Sequence, residues 1–283
     1  MAWKIGNVSI TPVIELDLSV DASFILPDAT PENLAPDFDW LKPHFVDEDG
    51  KLKFRVQALL VESCGHKIII DTCVGNDKNR TTPEFNQLSG PFLDDIAKSG
   101  FEREAIDIVV CTHLHYDHVG WNTMKVNGKW IPTFPNARYL ITQPEFEHLY
   151  NEKDESSVQT FGDSVAPIFE AGLMELVDCN HQITPELQLI PTFGHTPGHC
   201  SLAISSLGKK AIITGDVMHH PCQCIHPEWE CNADTFPQQA EITRKEFLER
   251  VGDSNTLVIG THWSAPTPVH IIKYKSAWKV NIS

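Results

Sequence analysis

Thr112-His113-Leu114-His115-Tyr116-Asp117-His118 holds His113, His115, Asp117 and His118 within one short run. Neutral imidazole and ionised carboxylate bind Zn²⁺ and similar divalent ions, and two such ions close together require about six or seven of these groups. Three other runs end in the same residue types: Gly194-His195-Thr196-Pro197-Gly198-His199, Thr214-Gly215-Asp216 and Gly260-Thr261-His262. If the chain folds back to join them, the chemistry is hydrolysis. A hydroxide shared by two divalent cations is available at neutral pH, and one cation can polarise a carbonyl or phosphoryl oxygen.

Each ligand-bearing run follows an apolar stretch, so a strand end aims it. The strands are expected at Val8 to Leu16, Leu52 to Val61, His66 to Ile70, Ile106 to Cys111, Arg138 to Thr142, Leu187 to Pro191, Cys200 to Ile204, Lys210 to Thr214 and Thr256 to Ile259. Helices are expected at Phe92 to Ser99, Pro144 to Tyr150, Phe161 to Ala171 and Ala240 to Val251, the last burying Ile242, Phe247, Leu248 and Val251. This alternation specifies an α/β layered fold. We expect one domain over 1–283, with an arm or lid at 17–51 whose Phe24, Phe38, Trp40 and Phe45 argue against disorder.

The net charge of −16 repels phosphate backbones and anionic membranes, so neither nucleic acid nor membrane is an expected partner. No stretch reaches the roughly 18 apolar residues of a membrane span and the first residues do not read as a signal peptide, which gives a cytoplasmic expectation. Eight cysteines are too sparse for a disulfide scaffold. The Cys222, Cys224 and Cys231 segment does not fit a zinc knuckle and reads as ordinary loop.

Taken in order, Asp71, the run His113 to His118, His199, Asp216 and His262 resemble the motifs of the metallo-β-lactamase superfamily over almost the whole chain. The resemblance implies a four-layer αββα sandwich with two metals at one edge between the sheets. It implies His113, His115 and His199 on the first metal, Asp117, His118 and His262 on the second, Asp216 bridging the two metals, and a metal-bridging hydroxide as nucleophile. Zinc is the first expectation, and manganese, iron or cobalt suit the same donors. Asp71 would orient ligands from outside, and His195 would be structural. Asp117 would also pass a proton to the leaving group.

Within the superfamily, the chain looks most like the acyl-homoserine lactonase and methyl parathion hydrolase branch, from its length, the run His118-Val119-Gly120-Trp121 and the segment before the second strand. That resemblance implies a small-molecule lactone or carboxylic ester as substrate. Phosphotriester and glyoxalase II-like thioester hydrolysis are the alternatives, and a non-catalytic metal-binding protein is the alternative of another class. Where related lactonases carry a substrate-binding tyrosine three residues past the bridging aspartate, this chain has His219, a candidate substrate donor. The segment at 17–51 resembles the arm through which related lactonases pair, implying a homodimer. Trp121, Phe24, Phe45 and Trp263 are equally suited to a pocket wall or to the core.

Overall fold

The computed structural model of the protein describes residues 2–265 and 267–282. Two sheets lie face to face. The first contains β1 (Trp3–Ile5), β2 (Val8–Val20), β3 (Leu52–Ser63), β4 (His66–Ile70) and β5 (Ile108–Val110). The hairpin of β6 (Thr123–Val126) and β7 (Lys129–Pro132) stands apart, and β8 (Arg138–Thr142) and β9 (Met174–Val177) complete that first sheet. The second runs in order through β10 (Gln182–Thr184), β11 (Leu187–Pro191), β12 (Cys200–Ser206), β13 (Lys209–Ile213) and β14 (Thr256–Ile259). β15 (His270–Tyr274) and β16 (Ala277–Asn281) form a last hairpin.

Alternation along the strands decides what meets between the sheets. Ile68, Ile70, Ile108, Val110 and Leu140 of one sheet pack with Leu189, Leu202, Ile213 and Ile259 of the other. Their alternates Ile69, Val109, Tyr139, Ile141, Ile212 and Val258 face outward into helices. Phe92 and Ile96 of the helix Phe92–Lys98 and Leu149 of Gln143–Asn151 cover the outer face of the first sheet; Phe247, Leu248 and Val251 of Pro237–Val251 cover the second. Full burial of each such side chain contributes roughly 1.5–3 kcal/mol. The layers are α, β, β, α, as the resemblance implied.

In the helix Pro237–Val251 the expected face is only partly right, because Ile242 is 51% exposed. Arg244 occupies the inner face instead, its guanidinium donating to the carbonyls of Pro227, Val217 and Trp229. The helix expected at Phe161 to Ala171 begins earlier, at Glu155, and contains a π turn at Phe161–Val165. That turn carries Asp163 inward to Arg80 at 2.7 Å and to the buried Lys78, whose Nζ donates to the Asp163 carbonyl at 2.7 Å.

β4, β5, β8 and β9 pair in parallel, and so do β13 and β14. Asp71 follows β4, the run Thr112 to His118 follows β5, Asp216 follows β13 and His262 follows β14. These residues therefore gather at the carboxyl ends of parallel strands, where α/β sheets commonly place ligands.

β2 extends beyond its expected end to Val20, zipped to β3 as far as Leu52. The remaining residues of the expected arm form short helices at Ala22–Ile25, Pro31–Leu34 and Phe38–Leu41, packed on their own chain. Trp40, Leu41 and Phe45 are buried, and the Phe24 ring lies 6.1 Å from Phe54 and 6.0 Å from Phe85. No helix among the described residues is long and apolar enough to cross a membrane.

Candidate metal centre

Asp71 has φ of 56°, in the left-handed region, and this conformation turns its carboxylate under the loop that follows β5. Oδ1 accepts from the Thr112 N–H at 2.8 Å, and Oδ2 lies 2.9 Å from His118 Nδ1. A carboxylate on Nδ1 leaves Nε2 of that ring free to bind a cation. His262 is fixed by backbone instead: its Nδ1 lies 2.7 Å from the Arg55 carbonyl, and its own carbonyl accepts from the Arg55 N–H. Phe54 stacks on the His262 ring with centroids 4.3 Å apart.

Three ring nitrogens converge at one point. His113 Nε2 lies 3.1 Å from His115 Nδ1, and His195 Nε2 lies 2.9 Å from the same His115 atom and 3.2 Å from His113 Nε2. Three imidazoles cannot all satisfy one another by hydrogen bonds, because each neutral ring has a single N–H. Nitrogens bound tetrahedrally at 2.0–2.1 Å from one zinc lie about 3.3 Å apart, close to these edges. A second group lies alongside, with His118 Nε2 3.1 Å from His262 Nε2 and Asp117 Oδ2 3.8 and 3.6 Å from them.

Asp216 Oδ2 sits between the groups, 3.4 Å from His195 Nε2, 3.3 Å from His118 Nε2, 3.2 Å from His262 Nε2 and 3.1 Å from His219 Nε2. Burial would raise the Asp216 carboxyl, but His118, His262, His219 and His113 together hold it well below the usual carboxylate range. Burial depresses His113 and His195 well below the ordinary imidazole value, with nearby imidazoles adding to the effect, so both rings are neutral as ligation requires. His118 moves the other way: burial opposes its charge, but Asp216, Asp71 and Asp117 hold its pKa well above the ordinary value. The cluster thus draws in positive charge, and Asp216 Oδ1 and His219 Nδ1 are buried without a hydrogen-bond partner. A pair of divalent cations fits this donor set.

One expectation is corrected by the geometry. His199 was expected to be a ligand and His195 structural, yet His195 enters the cluster and His199 does not. Both nitrogens of His199 are occupied: Nε2 accepts from the Asp216 N–H at 2.8 Å, and Nδ1 lies 2.9 Å from the Thr192 carbonyl. His199 therefore holds the Asp216 backbone from behind, which is also why Gly215 stands there; a Cβ would come 2.5 Å from His199 Nε2. His195 is oriented by Asp234, whose Oδ1 lies 2.9 Å from its Nδ1. Asp234 folds in from 39 residues away, so no local pattern points to it.

His219 is buried, with Nε2 toward Asp216 and 3.4 Å from Cys231 Sγ. Of the three cysteines in that segment, Cys231 alone joins the groups within ligand distance of one another among the described residues. His115, Asp117, Asp216, His219 and His262 floor a cavity of about 360 Å³. Phe24, Ile25, Phe54, Phe85 and Leu149 make an apolar wall and Thr82, Ser156, Ser157 and Thr160 a hydroxyl-bearing one; no Lys or Arg is in the described lining. Of the aromatics proposed for a pocket, Phe24 lines it, while Trp121, Phe45 and Trp263 are buried in the core.

An N-acyl homoserine lactonase of a Bacillus species is 26% identical over 111 residues, spanning 39% of this chain and 38% of the relative. The matched part is thus well under half of that lactonase. Among solved structures, AidC, a dizinc quorum-quenching lactonase in complex with a product, superposes with a TM-score of 0.81 at 20% identity, covering 100% of this chain and 97% of AidC. The hydrolase AbOPH superposes with a TM-score of 0.79 at 22% identity, over 99% and 95% of the two chains. These likenesses are of fold. The sequence pattern of the metallo-beta-lactamase superfamily matches residues 53–262, from β3 through the last histidine of the cluster, and the chain belongs to that superfamily.

Proposed function

We propose that the protein is a dinuclear metal-dependent hydrolase that opens a lactone or cleaves a carboxylic ester. The observation that carries this reading is the convergence of His113, His115, His195, Asp117, His118 and His262 on the Asp216 carboxylate at the floor of a cavity without basic residues. His113, His115 and His195 would hold one ion and Asp117, His118 and His262 the other, with the Asp216 carboxylate beside both groups. When bound, two divalent ions make water acidic enough to act near neutral pH and polarise a carbonyl oxygen.

The residues do the rest. Asp117 reaches the cavity lining, where its carboxylate can carry a proton to the leaving oxygen. His219 Nε2 lies 3.1 Å from the Asp216 carboxylate and His219 lines the cavity, so an N–H there is placed to donate to the substrate's oxygen. The apolar wall excludes water and holds an acyl or alkyl tail. Away from the ions the described lining offers no Lys or Arg and adds Asp154, so a substrate carboxylate lying far from the metal site gains no cationic partner. This weighs against glutathione-type thioesters, whose carboxylates lie far from the scissile bond. A neutral phosphotriester passes the same test and is the second reading.

The test is a turnover screen of the metal-loaded enzyme over lactones, aryl esters, phosphotriesters, thioesters and β-lactams. Lactones or aryl esters are expected to lead in kcat/KM. Protein that binds no divalent metal, or that prefers a β-lactam, overturns the reading.

A further inference from the structure

Glu145 is a carboxylate with no assigned task and an expensive position. It lies in the first turn of the helix Gln143–Asn151, 2% exposed, and makes no salt bridge among the described residues. Burial pushes its carboxyl up, so the fold gives something in return for a charge kept there. The return is three hydrogen bonds to two separate loops. Oε1 accepts from the Leu114 N–H at 3.0 Å, between His113 and His115, while Oε2 accepts from Thr196 Oγ1 at 2.7 Å and the Gly198 N–H at 3.0 Å, just past His195. The preceding Thr142 adds a fourth tie, its hydroxyl donating to the Gly198 carbonyl at 2.8 Å. Gly198 packs so closely here that a Cβ would lie 2.4 Å from the Glu145 nitrogen.

The two loops arise from different sheets, one after β5 and one after β11. Among the described residues no strand ladder pairs them; the Cys200 N–H donates to the Thr112 carbonyl at 3.0 Å, and ring nitrogens from both loops meet within 3.2 Å. We propose that Glu145 is the positioning residue of the first half of the metal centre, locking the His113–His115 loop to the His195–Gly198 loop so that three imidazoles converge on one ion. This rests on the dinuclear reading above. Only a carboxylate presents two acceptor oxygens to three donors; an amide turns an N–H₂ toward one of them.

Glu145→Gln keeps the shape and breaks the lock, and Thr196→Val removes one of its bonds with little change in volume. Full-length variants are dialysed against graded chelator and their metal equivalents counted, and the absorption spectra of the Co²⁺-loaded proteins are recorded. His115→Ala and Asp117→Ala serve as references for loss of the first and second half. Glu145→Gln is expected to weaken one equivalent by roughly 10- to 100-fold and leave the other, with a spectrum matching His115→Ala. Thr196→Val is expected to shift the same equivalent by less, which decides the matter if Glu145→Gln does not fold. Two equivalents held as tightly as in the wild type, or both weakened equally, overturn the proposal alone. Wild-type protein that takes up no divalent metal overturns the dinuclear reading and this proposal with it.

Discussion

The two halves of the cluster are held by different means. His118 and His262 follow the parallel strands β5 and β14, and they are fixed by Asp71 at the end of β4 and by the Arg55 backbone in β3. The sheets themselves therefore set that half, and its Asp117 and His262 reach the cavity. His113 and His195 lie beneath the floor, and that half is joined across the sheets by side chains: Thr112 on His113 at 3.1 Å, Asp234 on His195, and Glu145 between the loops. Backbone pairing positions groups where strands are neighbours, and buried carboxylates do so where they are not.

The largest effect tests what the halves share. Asp216→Ala is expected to release both metals and to lower kcat/KM by far more than the roughly 10- to 100-fold typical of an outer-shell loss, read by elemental analysis and steady-state kinetics. Retention of two tight equivalents would show that Asp216 does not join the halves. Next comes the pair of histidines in one loop. His195→Ala is expected to remove one equivalent, while His199→Ala keeps two and instead costs about 1–3 kcal/mol of stability by leaving the Asp216 N–H unpaired. The opposite pattern would reinstate His199 as the ligand.

That pair also shows where the sequence stops being legible. His66 to Ile70, Arg138 to Thr142, Leu187 to Pro191 and Thr256 to Ile259 match β4, β8, β11 and β14 end to end, because each carries apolar residues buried between the layers, even in β14 at a sheet edge. β1, β9 and β10 are short edge or near-edge strands with half-exposed residues, and their alternation is too brief to stand out. The run His113 to His118 and the strand-glycine-ligand pattern before Asp216 and His262 pointed to residues that the fold brings within ligand distance of one another. In Gly194-His195-Thr196-Pro197-Gly198-His199 both histidines follow glycine, so local chemistry cannot choose between them; contacts with Asp234 and with the Asp216 backbone do. Glu145 and Asp234 act only through chain segments distant in sequence, which leaves no local pattern to read.

A smaller effect probes the sheet-held half through its supporting carboxylate. The loop after β4, which begins with Asp71, leans on Glu15 of β2, whose carboxylate accepts from the Val74 N–H at 2.7 Å, the Gly75 N–H at 3.1 Å and the Trp121 indole at 2.6 Å. Burial raises its carboxyl from 4.5 to about 7, against the pull of those three donors and with a further push from Asp117. Below pH 4.5 Glu15 is protonated whether the chain is folded or not. Between pH 4.5 and about 7 the unfolded chain releases this proton first, so the Glu15 contribution to stability falls as pH rises and then levels off. A shift of that size corresponds to ~3 kcal/mol. Urea unfolding of wild type and Glu15→Gln at pH 5 and pH 7.5 isolates the effect as a difference, because other titrating groups cancel. The wild type is expected to lose about that much relative to the variant over the interval, with metal content unchanged at pH 7.5. Parallel stability curves would mean that Glu15 ionises as freely in the fold as outside it, and that the sheet alone, without this carboxylate, holds the loop after β4 in place.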